Sequence, residues 1–290
     1  MMKIRQLWAG IILGAVSFSF FISVSSWAQS SEGEEALPLD AGFKKSAPGV
    51  LRKELQAYKE VKFVAGPDKQ WFTPDDQIYQ YYLAEYDDLG RIIKKIGYKD
   101  DQPQEYWVYK YNVQNRPVEE TYYKSKGEDS RWFTADDSEG YHAFYESNRR
   151  GYKNRSLRYK SRSELERYFV FRYDPRGRIV KDVEYNAKGP DARWFTADDE
   201  IEKYHLRQYN KEGKLIRSSE YHVRHDGKGP DARWFTPDDV VSSTRVFVYN
   251  KNGHIERVDK FIAPGPDGQW FSDDDVIQYY TRRYYAPGIK

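Results

Sequence analysis

The sequence predicts an all-β protein, an antiparallel hairpin meander of about fourteen strands that forms an open, twisted or spiralling sheet. Two recurring patterns predict this fold. One is an eleven-residue stretch that begins at Gly66 and returns four more times. The other is a turn signal, Asp or Asn followed three residues later by Gly or Asn, with β-branched and aromatic runs such as 169–171 on either side. Short connections between such runs favour antiparallel neighbours.

The eleven-residue stretch is regular enough to define a repeat protein. Its five copies occupy 66–76, 127–137, 189–199, 229–239 and 265–275. All five keep Gly first, Asp third, Trp-Phe sixth and seventh, and Asp-Asp last, and the eighth residue is Thr or, in the fifth copy, Ser272. A fixed stretch at this spacing indicates a chain built from similar structural units.

The aspartates of this stretch allow two interpretations. As calcium ligands they would offer carboxylate, hydroxyl and backbone oxygens to a hard cation. The candidate ligands are Asp68, Asp75, Asp76, Asp129, Asp136, Asp137, Asp191, Asp198, Asp199, Asp231, Asp238, Asp239, Asp267, Asp274 and Asp275. The structural alternative makes Thr73 to Asp76 a helix capping box, makes Asp68 a turn residue, and uses Trp and Phe to plug gaps between hairpins.

The turn signal places the strands. Its copies begin at Tyr86, Tyr111, Tyr173, Tyr209 and Tyr249, and each is typical of a hairpin loop closed by a left-handed residue. The resulting strands are 77–86, 91–100, 104–111, 117–125, 200–209 and 214–224. A first strand ends at Val64, although 51–58 could also form a short helix. Segment 141–167 is the least regular.

That irregular segment carries a basic cluster. Its members are Arg149, Arg150, Lys153, Arg155 and Arg158. A departure from the repeat suits a partner site, but the favoured interpretation of the cluster is a solvated face.

The N-terminus has the pattern of an export signal. Lys3 and Arg5 precede an apolar run over 7–24, and small residues flank a cleavage position after Ala28. An uncleaved anchor is the alternative. We therefore predict a signal peptide at 1–28, a flexible leader at 29–50 and one β-repeat domain at 51–290. Such a signal predicts a periplasmic location, or a secreted or cell-surface one.

Charge and cysteine content exclude some classes. The chain has 47 basic and 45 acidic residues, and removal of the signal removes two bases and no acid. A nucleic-acid-binding protein normally shows a basic excess. Without cysteine, stability must come from packing, for which the sequence supplies 26 Tyr.

The turn signal resembles the Tyr-Asp repeats of the Rhs and toxin-complex proteins, which also occur in animal teneurins. The matching residues are Tyr86-Asp87 with Gly90-Arg91, and Tyr173-Asp174 with Gly177-Arg178; elsewhere Tyr-Asn replaces Tyr-Asp. The resemblance implies hairpins that spiral into a shell, and sugar binding in some members. Here Trp-Phe loops interrupt the repeat and the chain is too short to enclose a toxin, so a shell function is not implied.

No catalytic pattern is evident. His222 and His225 are spaced three apart, which on a strand places them on opposite faces. The Asp-Asp pairs recur five times, whereas catalytic pairs are usually unique. We expect a non-enzymatic binding or scaffolding protein whose partner is an envelope protein or a polysaccharide. A polysaccharide-acting enzyme, a subunit of an envelope or secretion assembly and an outer-membrane barrel are the alternatives.

Overall fold

A computed structural model of the chain describes residues 57–161, 163–223 and 227–285. These residues form fourteen strands and, within the described ranges, no α-helix. The strands are β1 (Ala57–Val64), β2 (Gln77–Tyr86), β3 (Ile92–Lys99), β4 (Gln102–Tyr111), β5 (Pro117–Ser125), β6 (Ser138–Ser147), β7 (Lys153–Ser161), β8 (Glu164–Tyr173), β9 (Ile179–Ala187), β10 (Glu200–Tyr209), β11 (Leu215–His222), β12 (Ser243–Tyr249), β13 (Ile255–Ala263) and β14 (Val276–Tyr285). In these ranges no helix is long and apolar enough to cross a membrane.

Every strand pairs antiparallel with its neighbour in the chain, and β1 also pairs with β14. The predicted meander is therefore confirmed, but the sheet closes into a barrel and is not open. The closing register runs from Ala57 opposite Tyr285 to Phe63 opposite Tyr280, so the seam is as fully paired as the other junctions. Closure leaves no unpaired edge strand, which an open meander would expose at both sides.

The two ends of the barrel differ in their connections. Six four-residue turns join β2 to β3, β4 to β5, β6 to β7, β8 to β9, β10 to β11 and β12 to β13. We call this the turn end; β1 begins there and β14 ends there. The five repeated loops lie at the opposite end, the loop end, together with the short β3–β4 and β7–β8 connections. Alternation of the two kinds of connection follows from the meander.

The first turn shows why Asp and Gly are spaced three apart. Gly90 donates its N–H to the Asp87 carbonyl at 2.9 Å and takes a φ of 76°, the left-handed region that Gly enters without strain. The Asp87 carboxylate accepts the N–H groups of Leu89 and Arg91. The turn between β6 and β7, with Asn148 and Gly151 in these roles, was missed in the sequence.

The tyrosines that end β4, β8, β10, β12 and β14 each join one hairpin to the preceding one. Tyr111 donates its hydroxyl to the Ile92 carbonyl at 2.8 Å, and the Arg91 guanidinium lies 4.7 Å from its ring. The same hydroxyl-to-carbonyl bond recurs at Tyr173, Tyr209, Tyr249 and Tyr285. The Tyr and Arg of the repeated signal are therefore contacts between consecutive hairpins.

The barrel interior is filled by large side chains. In β2 to β6 the inward face carries an aromatic cluster around Trp107, which is completely buried. Its indole N–H donates to the Tyr141 hydroxyl at 3.2 Å, and Tyr141 and Tyr145 both donate to Glu120 at 2.7 Å. Aromatic rings with polar tips thus fill a wide interior while keeping their polar atoms bonded.

Most predicted strands agree with the structure. The predictions 77–86, 117–125 and 200–209 coincide with β2, β5 and β10, the other three agree within two residues, and β1 ends at Val64. Segment 141–167 is regular after all, because it forms parts of β6, β7 and β8 in the usual hairpin pattern. The predictions for residues 1–56 lie outside the described residues.

Candidate functional site

Each repeated loop folds back over the outer face of the barrel. In the second loop, Trp132 and Phe133 pack on Tyr106 of β4, with ring centroids 6.0 and 5.0 Å from that of the tyrosine. Tyr106 in turn stacks on Tyr123 of β5 at 4.4 Å. The prediction that Trp and Phe plug the gap between hairpins is confirmed at this loop.

The last aspartate of the loop holds the strand tyrosine and the loop together. Asp137 Oδ2 accepts the Phe133 N–H at 2.7 Å and the Tyr106 hydroxyl at 2.7 Å. We call this arrangement the tyrosine clamp. It recurs as Tyr168 with Asp199, Tyr204 with Asp239 and Tyr280 with Asp76. Burial, followed by the bond to Asp76, raises the pKa of Tyr280 to about 12, so the hydroxyl keeps its proton.

Each loop phenylalanine has positive φ, between 67° and 80°, and lies against a cation from the strand beyond the clamp. The pairs are Arg257 with Phe72, Lys94 with Phe133, Arg155 with Phe195, Lys181 with Phe235 and Arg217 with Phe271. A cation over an aromatic face is attracted by the ring quadrupole. Every loop therefore reaches back across two strands of the sheet.

The first loop makes its contacts across the closing seam. It connects β1 to β2, yet Asp76 accepts the hydroxyl of Tyr280 on β14 at 2.7 Å, and Phe72 lies 3.9 Å from Arg257 on β13. The loop thus links the two ends of the described chain.

The fifth loop lacks the clamp tyrosine. Thr244 of β12 lies opposite Phe261 in the register, the place that Tyr106, Tyr168 and Tyr204 take against their own partners. Asp275 still accepts the Phe271 N–H at 2.9 Å. This loop therefore keeps its internal bonds and its cation but not the bond to a strand hydroxyl.

The other loop aspartates bond within the loop. Asp75 accepts the Asp68 N–H at 3.2 Å and the Thr73 hydroxyl at 2.6 Å, while Asp68 accepts the Gln70 N–H at 2.7 Å. The bonds from Thr73 and from the Asp68 backbone lower the pKa of Asp75. The side-chain turn predicted for Asp68 is confirmed.

The predicted helix does not form, because the stretch makes only a single turn closed by the Asp76 N–H and the Thr73 carbonyl at 3.3 Å. The predicted bond from the last aspartate back to the threonine N–H is present in two copies, from Thr134 to Asp137 and from Thr196 to Asp199, each at 3.3 Å. Gly66 is required here, since a Cβ at that position would meet the Asp75 carbonyl oxygen at 2.2 Å.

Calcium binding by the fifteen candidate aspartates stays a prediction. The carboxylate oxygens just described accept N–H and O–H groups, and these bonds would have to rearrange around a cation. Within 57–161, 163–223 and 227–285, no group of three or more His, Asp or Glu side chains is placed to hold a metal ion. The geometry therefore favours the structural interpretation of the loops.

A second polar cluster lies inside the barrel, on β9 to β11. His205 is completely enclosed between Asp182 and Glu220, with its two ring nitrogens each 3.0 Å from a carboxylate oxygen. Arg207 bonds to Asp182 at 3.1 Å, and Lys203 lies 3.9 Å from Glu220. Burial lowers the pKa of His205, but the two carboxylates outweigh it, so the pKa is raised above 6.5.

This buried ion network extends to β8. Glu184 is fully buried and accepts from Arg167 at 2.6 Å, with Lys203 at 3.4 Å. Buried charges are tolerated only when paired and hydrogen-bonded. The network was not predicted, because its members are ordinary charged residues on alternate positions of separate strands. In the sequence, the one sign of an inward polar face was that these charged residues alternate with apolar residues that face outward, such as Val183 and Leu206.

The two histidines and the basic cluster noted in the sequence do not form a common site in the described residues. His222 is buried beside Glu202 at 3.2 Å, and His225 lies outside the described residues. Arg158 points inward, 3.6 Å from the Tyr141 ring, so the basic segment is not one solvated face. Arg149 and Arg150 are exposed in the third turn.

Comparisons with known proteins give a distant similarity of fold only. No protein-family model and no curated protein match the sequence. A porin-like protein from Bacteroides uniformis is 10% identical, with a TM-score of 0.38 over 79% of this chain and 98% of that one. A protein of unknown function from Bacteroides fragilis is 9% identical, with a TM-score of 0.30 over 41% and 91%.

A Tc holotoxin pore of Photorhabdus luminescens is 11% identical, with a TM-score of 0.27 over 70% of this chain and 10% of that one. A toxin complex is thus among the structural neighbours. No family match supports the resemblance in sequence. At these scores none of the similarities carries an argument about function.

The tyrosine clamp predicts unequal effects of one substitution in two loops. Asp76→Asn weakens the bond from the Tyr280 hydroxyl across the seam, so we expect it to lower the free energy of unfolding by about 1–3 kcal/mol. The matched control is Asp275→Asn, which has no strand tyrosine to lose and should cost less. Denaturant unfolding measures both, and equal losses would contradict the stabilising role of the clamp.

The structural interpretation of the loops predicts no effect of calcium. We expect the same thermal midpoint, followed by Trp fluorescence, in millimolar calcium and in chelator, because the carboxylates already accept bonds within the protein. Five tryptophans lie in the loops and report on them directly. An upward shift with calcium would instead assign the loops as metal sites.

The buried ion network predicts a pH dependence of stability above pH 6.5. Because the folded-state pKa of His205 is raised, its contribution to stability is fully present below 6.5 and is lost as pH rises through the folded-state pKa. Denaturant unfolding between pH 6 and 9 should show this loss. His205→Gln should remove that part of the slope, whereas His254→Gln, at the sixth turn, should retain it.

Proposed function

We propose that this chain is an exported, non-enzymatic repeat protein that serves as a binding or scaffolding module of the bacterial envelope, in the periplasm or at the cell surface. The repeated loop is the observation that supports this proposal most. Its invariant residues are used to hold the barrel together: Gly for close backbone approach, Asp for the clamp and the turn, Trp and Phe for packing. A motif used in this way builds a rigid support.

The interior supports a non-enzymatic role. The groups best suited to acid–base chemistry, Asp182, His205 and Glu220, are buried and bonded to one another and to cations. A general acid or base must reach a substrate within hydrogen-bonding distance. Carboxylates of the loops accept bonds from their own backbone, as Asp75 does from the Asp68 N–H, and this also supports a non-enzymatic role.

The loop end is the surface we assign to a partner. Its phenylalanines remain 37–46% exposed although each faces a cation, and carboxylates surround them. Half-exposed aromatic rings in a polar surrounding suit protein interfaces and stacking on sugar rings. An envelope protein or a polysaccharide fits this chemistry, and a subunit of an envelope assembly would use the same surface.

Photo-crosslinking in cells tests the proposal. A crosslinking residue replaces Ala197, which is exposed in the third loop, and in the control it replaces Asn252, which is exposed in the sixth turn. We expect a discrete protein adduct, or retention on an envelope polysaccharide, to depend on the Ala197 position. Absence of both from the loop end would contradict the proposed surface, and cleavage of a polysaccharide by the purified protein would contradict a non-enzymatic role.

A further inference from the structure

The barrel is strongly polarised in charge along its axis, although its overall charge is close to zero. The six turns at the turn end contain nine Lys and Arg residues and four Asp and Glu residues. The five eleven-residue loops at the opposite end contain 17 acidic and four basic residues. Composition alone conceals this separation, because it appears only when the meander sends alternate connections to opposite ends.

Several cations of the turn end have no ionic partner in the part of the chain that the structure describes. They are Arg149, Arg150, Arg176, Lys211 and Lys251, all exposed at turn apices. By contrast, Arg91 and Arg178 each pair with the aspartate of their own turn at 2.5 Å. The exposed set therefore adds an uncompensated positive potential to this end, which we call the basic crown.

Apolar residues project at the same end of the barrel, from the first two turns, next to the third turn that carries Arg149 and Arg150. Val113, at the apex of the second turn, is 93% exposed, and Leu89, at the apex of the first turn, is 51% exposed. Polar residues usually occupy such positions, and neither side chain belongs to a hydrophobic cluster of the barrel. Cations beside exposed apolar tips are the combination that binds the interface of an anionic membrane.

We propose that the turn end docks on an anionic lipid surface, with the basic crown against the headgroup phosphates and the apolar tips of Val113 and Leu89 in the interface. The loop end then faces away from the membrane. This inference goes beyond the proposed function and does not depend on the partner of the loop end.

Two other binding partners would fit the turn end less well. A soluble polyanion would neutralise the cations but would offer no apolar phase to Val113. The acidic loop end of a second copy would offer charge, but its phenylalanine rings already face cations of their own sheet, at 3.5 Å for Lys94 and Phe133 and for Arg217 and Phe271. An anionic lipid surface accommodates both the cations and the apolar tips.

Cosedimentation with phosphatidylglycerol vesicles tests the proposal, with phosphatidylcholine vesicles as the reference. In the full chain, the apolar run at 7–24 contributes to binding of both kinds of vesicle. The difference in binding between the two therefore isolates the effect of lipid charge. We expect strong binding to phosphatidylglycerol that weakens with salt. Arg149→Gln with Arg150→Gln should weaken it roughly 30-fold, since each cation near an anionic surface contributes about a factor of five.

The matched control removes two cations from the other end. Arg131→Gln with Arg193→Gln makes the same change in net charge on exposed loop residues and should leave vesicle binding unchanged. Val113→Ser, which changes no charge, should weaken binding roughly tenfold at every salt concentration. Both turn variants lie at exposed apices, so unfolding curves like that of the parent protein are expected.

Three results would overturn the proposal. One is equal binding to the two kinds of vesicle. Another is an equal loss from the turn-end and loop-end double variants. The third is self-association at low salt, measured by light scattering, that Arg149→Gln with Arg150→Gln abolishes while vesicle binding stays unchanged. The turn end would then bind a second copy of the protein.

Discussion

The outer surface of this barrel depends on one contact, the hydroxyl of a strand tyrosine donating to the last aspartate of a loop. Tyr106 and its equivalents point outward from the sheet, where their rings would otherwise be bare. Asp137 bonds the hydroxyl and the backbone of Phe133 together, and this bond brings the Trp132 and Phe133 rings onto the tyrosine. A tyrosine-rich barrel is covered in this way by its own connections.

The interior has a different requirement, which is to fill a wide space. A closed sheet of fourteen strands encloses more room than small apolar side chains can fill. Two groups of long side chains fill it, because rings around Trp107 occupy one part and paired charges around His205 occupy another. Since the charges are paired with one another, they add polar contacts without an unpaired ion, which would cost several kcal/mol.

Local features of the fold could be predicted from the sequence, and long-range features could not. Asp, Asn and Gly set each turn within a few residues, so the hairpins and their bounds followed directly. The turn at Asn148 was missed because Ser147 precedes it where the other turns have Tyr. Closure depends on pairing between Ala57–Val64 and Val276–Tyr285, and no local pattern reports on whether strands so far apart in the chain meet.

The loops illustrate the same limit at the candidate site. The sequence showed five Asp-Asp pairs but not their partners, because each clamp tyrosine lies on a strand that the loop reaches by folding back. The aspartates therefore suited calcium as well as a structural role. Thr244, the one substitution for the clamp tyrosine, could be recognised only once the register placed it opposite Phe261.

The contacts of the first loop across the seam make the junction between β14 and β1 equivalent to the junctions inside the chain. Tyr280 and Asp76 form there the contact that Tyr106 and Asp137 form between consecutive hairpins. The barrel is then a ring of hairpins in which the place where the ring is opened is structurally arbitrary. Cutting the backbone at an exposed turn, for example between Arg149 and Arg150, and joining the start of β1 to the end of β14 at the turn end would preserve every strand pairing. A fold with this property can gain or lose a hairpin at any junction, which gives a simple route by which repeats of this kind could change the size of the barrel.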